Sequence, residues 1–202
     1  MPADAADVST TSGDFDGDGA PDTATAYRVG PKSAPEWHLA VDLASGTRAD
    51  SVVPRDLGHA PGIGNAAVAG AVDVNGDGTD ELWASVGSGS IGTLAALFYV
   101  DGCGVSAVSA DGTPVVFSVG GASGGFAGVD GTDVDGNGAL DFVVALQASS
   151  TDGGTTYHTT ETEYVLTDGM FGVLSQVPNT ASPNDPDFAR FSTFHCGPVA
   201  LP

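Results

Sequence analysis

Carboxylates recur along this chain at intervals that let them share one cation. Three nine-residue stretches, DFDGDGAPD from Asp14, DVNGDGTDE from Asp73 and DVDGNGALD from Asp133, carry Asp, Asn or Glu at positions 1, 3, 5 and 9 and Gly at positions 4 and 6. Oxygens at positions 1, 3 and 5 of a tight loop turn to one centre, position 7 adds a backbone carbonyl and position 9 another carboxylate. Hard oxygens in that number suit Ca2+, which takes six to eight of them at about 2.3–2.6 Å. Loop one would use Asp14, Asp16, Asp18 and Asp22 with the Ala20 carbonyl. Loop two would use Asp73, Asn75, Asp77 and Glu81 with the Thr79 carbonyl. Loop three would use Asp133, Asp135, Asn137 and Asp141 with the Ala139 carbonyl, making three Ca2+ sites.

Electrostatics argues for a bound cation. Two carboxylates about 4 Å apart repel by about 4 kcal/mol at an effective dielectric of 20. Without a counter-ion such groups must splay or take up protons. An EF-hand is excluded, because it needs a bidentate Glu at position 12 entering a helix. Here position 12 is Thr25, Ala84 or Val144, each inside an apolar run with strand character.

The elements that must hold these loops are strands. TATAYRV (23–29), LWASVGSG (82–89) and FVVALQAS (142–149) follow the three loops. A second strand comes next in each case, WHLAVDL (37–43), TLAALFYV (93–100) or TETEYVL (160–166). Tight turns at Ser45-Gly46, Asp101-Gly102 and Asp168-Gly169 lead into TRADSVV, GVSAVSA and MFGVLSQV. Small-residue segments, NAAVAGAV (65–72) and GGFAGVDG (124–131), precede loops two and three as short inner strands. No helical periodicity exceeds two turns, and 30 Gly and 12 Pro punctuate the chain. The expectation is all-β: a single domain over 1–202, built from three tandem four-stranded antiparallel units at about 8–64, 65–123 and 124–180. The period is fixed by loop starts 59 and then 60 residues apart. The segment 181–202, which contains FARFSTF and HCGP, is the candidate C-terminal cap, with a strand expected in FARFSTF.

DFDGDGAPD, DVNGDGTDELW and DVDGNGALDFV resemble the FG-GAP/VCBS repeats of integrin α-subunit propellers and of short secreted bacterial proteins, with a weaker Phe-Gly lead-in at GGFAG (124–128). The resemblance covers residues 8–175. It implies β-propeller blades with a structural calcium between the first two strands of each blade, and binding surfaces in other loops. Propellers usually have four to eight blades. Three imply a small closed ring, an open arc, or a ring completed by two chains.

Composition narrows the function further. The net charge is −21, with five Lys plus Arg, so no basic face exists for nucleic acid or for an anionic membrane. No apolar run reaches the length of a membrane helix. The start, MPADAADVSTTSG, reads as a mature N-terminus with an added Met, so export with a removed signal is inferred. Cys103 and Cys196 are expected to form a disulfide in that setting.

Other chemistries have weak support. Gly121 to Gly125 matches G-x-S-x-G but lacks the strand–helix context of a nucleophile elbow. GSGSIG (87–92) lacks the context of a phosphate loop. His38, His59, His158 and His195 are scattered, and a zinc site through His195, Cys196 and Cys103 falls one ligand short. Trp37, Trp83, Phe98, Tyr99, Phe142, Tyr157 and Tyr164 are expected to fill sheet interfaces. The reading is a secreted or cell-surface, calcium-binding, non-enzymatic repeat module with a protein or glycan ligand. The alternatives are a calcium-dependent hydrolase or lyase acting on acidic polysaccharide, and a calcium-switched regulator.

Overall fold

The structure, a computed structural model, describes residues 1–201 except 56, 58–64, 89–91, 123 and 151. His59, Ser123 of the G-x-S-x-G match, the middle of GSGSIG and the junction at 64 lie outside the described residues. Runs rich in Val, Ala, Thr and aromatic residues, set between Gly- and Asp-containing turns, form sixteen strands among the described residues. None of the described helices is long and apolar enough to cross a membrane.

The first unit is the expected antiparallel meander. β1 (Ala6–Gly13), β2 (Asp22–Val29), β3 (Glu36–Asp42) and β4 (Arg48–Val52) form a four-stranded sheet in chain order. Loop one joins β1 to β2. Tyr27 and His38 stack across β2 and β3 with ring centroids 4.9 Å apart. The Tyr27 hydroxyl donates to Asp50 at 2.7 Å, and His38 Nδ1 lies 3.0 Å from the other Asp50 oxygen. This histidine is part of a structural network.

The second and third units are fused. β5 (Ala67–Val72), β6 (Glu81–Ser88), β7 (Gly92–Asp101) and the short β8 (Gly104–Ala107) run in order. β8 covers only Phe98–Asp101 of β7. The open half of β7 is taken by β11 (Val116–Ala122), after a small hairpin of β9 (Ser109–Ala110) and β10 (Thr113–Pro114). β11 then pairs with β12 (Gly125–Thr132), which is followed by β13 (Phe142–Ser149), β14 (Tyr157–Thr167) and β15 (Met170–Ala181). One twelve-stranded sheet results in place of two separate four-stranded units. Mismatched strand length is the reason: a ten-residue β7 beside a four-residue β8 leaves backbone groups that need partners.

The tail packs against β5, β6 and β12, with less strand than expected. Phe188–Ser192 form a 3-10 turn, which places Phe188 and Phe191 three residues apart on one side, both buried. Among the tail's described residues β16 (Phe194–His195) pairs in parallel with β12, and Cys196 and Val199 form an isolated bridge. A Cβ at Gly128 of β12 would lie 2.1 Å from the Arg190 carbonyl oxygen, so the turn sits where no other residue fits. Val199 rests against Gly70 of β5, and Phe194 meets Trp83 edge-on at 5.0 Å. Of the seven aromatics expected at interfaces, Trp83, Trp37, Phe98 and Tyr157 are buried, and Tyr99, Phe142 and Tyr164 are half-buried.

Cys103 and Cys196 are free thiols, and the expected bridge is absent. Cys103 is exposed in the β7–β8 turn, where its carbonyl accepts the Asp50 N–H at 3.2 Å. Cys196 is buried in the core between units two and three, its Sγ near Gly131 of β12. Burial, and then the Asp130 charge, push its thiol pKa well up. The β7 turn and the tail serve different interfaces, so their cysteines are not brought together.

Candidate metal centre

Each acidic loop joins the first two strands of its unit, β1 to β2, β5 to β6 and β12 to β13, and one hydrogen-bond scheme shapes all three. The carboxylate at position 1 accepts the N–H groups of both glycines. Gly17 and Gly19 donate to Asp14 at 2.9 and 2.8 Å, Gly76 and Gly78 to Asp73 at 2.7 and 3.0 Å, and Gly136 and Gly138 to Asp133 at 2.7 and 3.0 Å. Position 3 accepts from the N–H of position 5: Asp18 to Asp16, Asp77 to Asn75, Asn137 to Asp135, at 3.3, 3.1 and 3.1 Å. Position 5 accepts from position 7: Ala20 to Asp18, Thr79 to Asp77, Ala139 to Asn137, at 2.7, 2.8 and 2.7 Å. Position 9 accepts from position 2: Phe15 to Asp22, Val74 to Glu81, Val134 to Asp141, at 2.8, 2.8 and 2.6 Å.

Geometry demands the glycines. Positions 4 and 6 have φ of +71° and +82°, +73° and +88°, and +76° and +98° in the three loops, a region that side chains disfavour. No bidentate Glu enters a helix: Thr25, Ala84 and Val144 lie on β2, β6 and β13.

The loops differ in how far their acids converge. Carboxylate oxygens of Asp14, Asp16 and Asp18, and those of Asp133, Asp135 and Asp141, lie within 4.8 Å of one another, so two clusters can hold a metal ion. Neither contains a His or Cys, and the zinc set of His195, Cys196 and Cys103 is not assembled. Asp22 stands outside the loop-one cluster. It is 2% exposed, and its two oxygens accept the Phe15 and Ala44 N–H groups at 2.8 and 2.7 Å, which makes it a strut between loop and sheet. Loop two has Asn75 in place of an acid at position 3, and its Asp and Glu side chains form no such cluster among the described residues. Asn75 Nδ2 donates to Asp77 Oδ2 at 2.9 Å, and the Thr79 hydroxyl donates to Asp77 Oδ1.

Ionisation tracks these environments. Desolvation, with the charges of Asp18, Asp22 and Asp14 adding to it, raises the Asp16 pKa. Desolvation works against the Asp77 charge, but donors on Thr79 and Asn75 outweigh it and lower that pKa. The Gly138 N–H leads the donors that lower Asp133. Glu81 is 4% exposed and accepts the Val74 N–H on one oxygen. Burial, against that bond and with Asp77, Asp73 and Asp80 nearby, pushes its pKa up to about 8. An all-oxygen donor set of this charge fits a hard divalent cation and disfavours softer ones.

Loops are also bonded to one another, which the nine-residue pattern did not reveal. The Asp80 N–H donates to the Asp14 carbonyl at 2.7 Å, and the Asp14 N–H donates back to Asp80 Oδ2 at 2.8 Å. Leu140 N–H donates to the Asp73 carbonyl at 2.8 Å. Both donors sit at position 8, where the three loops read Pro21, Asp80 and Leu140. That variability is the one signal the sequence offered.

No family profile matches the chain, and no curated protein is similar to it in sequence. Among solved structures, the rhamnogalacturonan lyase PL11 of Bacillus licheniformis superposes over 94% of this chain with a TM-score of 0.43 and 15% identity. The chain spans 36% of that lyase.

Proposed function

We propose that this chain is a calcium-stabilised, β-propeller-like repeat module of the FG-GAP/VCBS kind, secreted or displayed at the cell surface. Its three Ca2+ sites are structural, and its work is non-enzymatic binding of a protein or glycan. The observation that carries this reading is the threefold recurrence of one hydrogen-bond scheme on strand-to-strand loops, with acids that converge in loops one and three. Glu81 adds to it, because a carboxylate buried among three other acids is stabilised by a cation.

Of the three arrangements open to three repeats, the open arc is favoured. Successive loops are linked by a position-8 N–H, and Pro21 has none. Neither loop three of this chain nor that of a second copy can dock on loop one through the same bond.

Calcium at 100 times its dissociation constant adds about 2.7 kcal/mol per site, or about 8 kcal/mol for three. For a chain of this size that corresponds to a melting temperature lowered by about 15–30 °C on chelation. Scanning calorimetry with millimolar calcium and with excess chelator tests it. A shift of only a few degrees removes the structural role for the metal.

A further inference from the structure

Position 8 connects one loop to the next through a single peptide group. The N–H of Asp80 belongs to the same planar unit as the carbonyl of Thr79, and that of Leu140 to the same unit as the carbonyl of Ala139. A trans peptide holds its N–H and C=O on opposite sides. Fixing the N–H on the preceding loop therefore fixes the direction of the position-7 carbonyl, and the bond also polarises that oxygen. Between loops one and two the hold is double, because Asp14 and Asp80 exchange two bonds at 2.7 and 2.8 Å. Between loops two and three it is one bond of 2.8 Å, with the Leu140 side chain buried where Asp80 is polar.

We propose that these peptide links couple the cation sites of successive loops, with Asp80 as the positioning residue between loops one and two. The proposal rests on the cation-binding reading above. A filled loop one steadies Asp14, hence the 79–80 peptide, hence the Thr79 carbonyl and the adjacent Glu81. Loop one has no link of this kind to a preceding loop, since its eighth residue is Pro21. The coupling is reciprocal, so each loop changes its neighbour's affinity by the same factor.

The position-6 glycines make the test loop-specific. Gly19, Gly78 and Gly138 each donate to the first carboxylate of their own loop, so their amide resonances report loops one, two and three in a calcium titration of the full chain. Disabling loop one with D16N/D18N is expected to move the Gly78 midpoint to about fivefold higher calcium or more. In D80L, which carries the leucine found at position 8 of loop three, the same change should move it by less than about twofold. Should D80L fail to fold, the reciprocal experiment decides. Disabling loop two with D73N/D77N must move the Gly19 midpoint by the factor seen in the first direction. A Gly78 midpoint indifferent to loop one overturns the coupling while calcium binding stands, and a shift that persists in full in D80L overturns the role of the Asp80 side chain, because that variant keeps the backbone bond. Wild-type amides that ignore millimolar calcium overturn both.

Discussion

At the scale of single residues, Glu81 makes the metal-free protein sensitive to pH. Its carboxyl keeps a proton up to about pH 8 in the fold, against an ordinary value of 4.5. Between those values the folded chain binds more protons than the unfolded one, so stability falls as pH rises. The contribution is complete below about 4.5 and lost through about 8. In excess chelator, the urea midpoint is therefore expected to be lower at pH 8 than at pH 5. Glu81→Gln, which cannot ionise, should flatten that difference. Equal slopes for the two proteins would show that Glu81 holds no displaced proton. The acids that converge in loops one and three were legible because carboxylate spacing is written directly in the sequence. That Asp22 is a strut was not, because the Ala44 N–H that occupies it comes from the β3–β4 turn, far along the chain.

At the scale of elements, local signals served where contacts are local. The Ser45-Gly46 turn and the alternation in β2 and β3 gave the first sheet its four strands in order. β11 was not legible, because its partners β7 and β12 are chosen by the edge that β8 leaves open, not by anything in residues 116–122. β15 runs on through Pro178, which reads as a stop in sequence but is tolerated on a strand near a sheet margin. FARFSTF failed as a strand because burying Phe188 and Phe191 together suits a 3-10 turn better. The glycine under that turn gives a sharp test. Gly128→Val must displace the Arg190 carbonyl, 2.1 Å from its Cβ, or abandon the tail contact. A loss of about 3 kcal/mol or more is expected in chemical denaturation, overpacking and lost pairing together. A loss under about 1 kcal/mol would mean the tail does not brace β12.

At the scale of the whole molecule, the tail does more than cover an edge. Residues 194–199 reach back to Trp83, Gly70 and the strand after loop two, in a core that spans units two and three. A chain ending at Thr193 should leave Trp83 partly open to water, seen as red-shifted tryptophan emission that iodide quenches, while Trp37 in the first unit stays protected. Unchanged emission would show that the middle unit closes by itself. The timing of synthesis follows from the same contact. A repeat protein is usually free to fold each unit as it leaves the ribosome. Here the largest side chain of the second unit also packs on a segment made much later, so its final sheltering is expected to come late in synthesis.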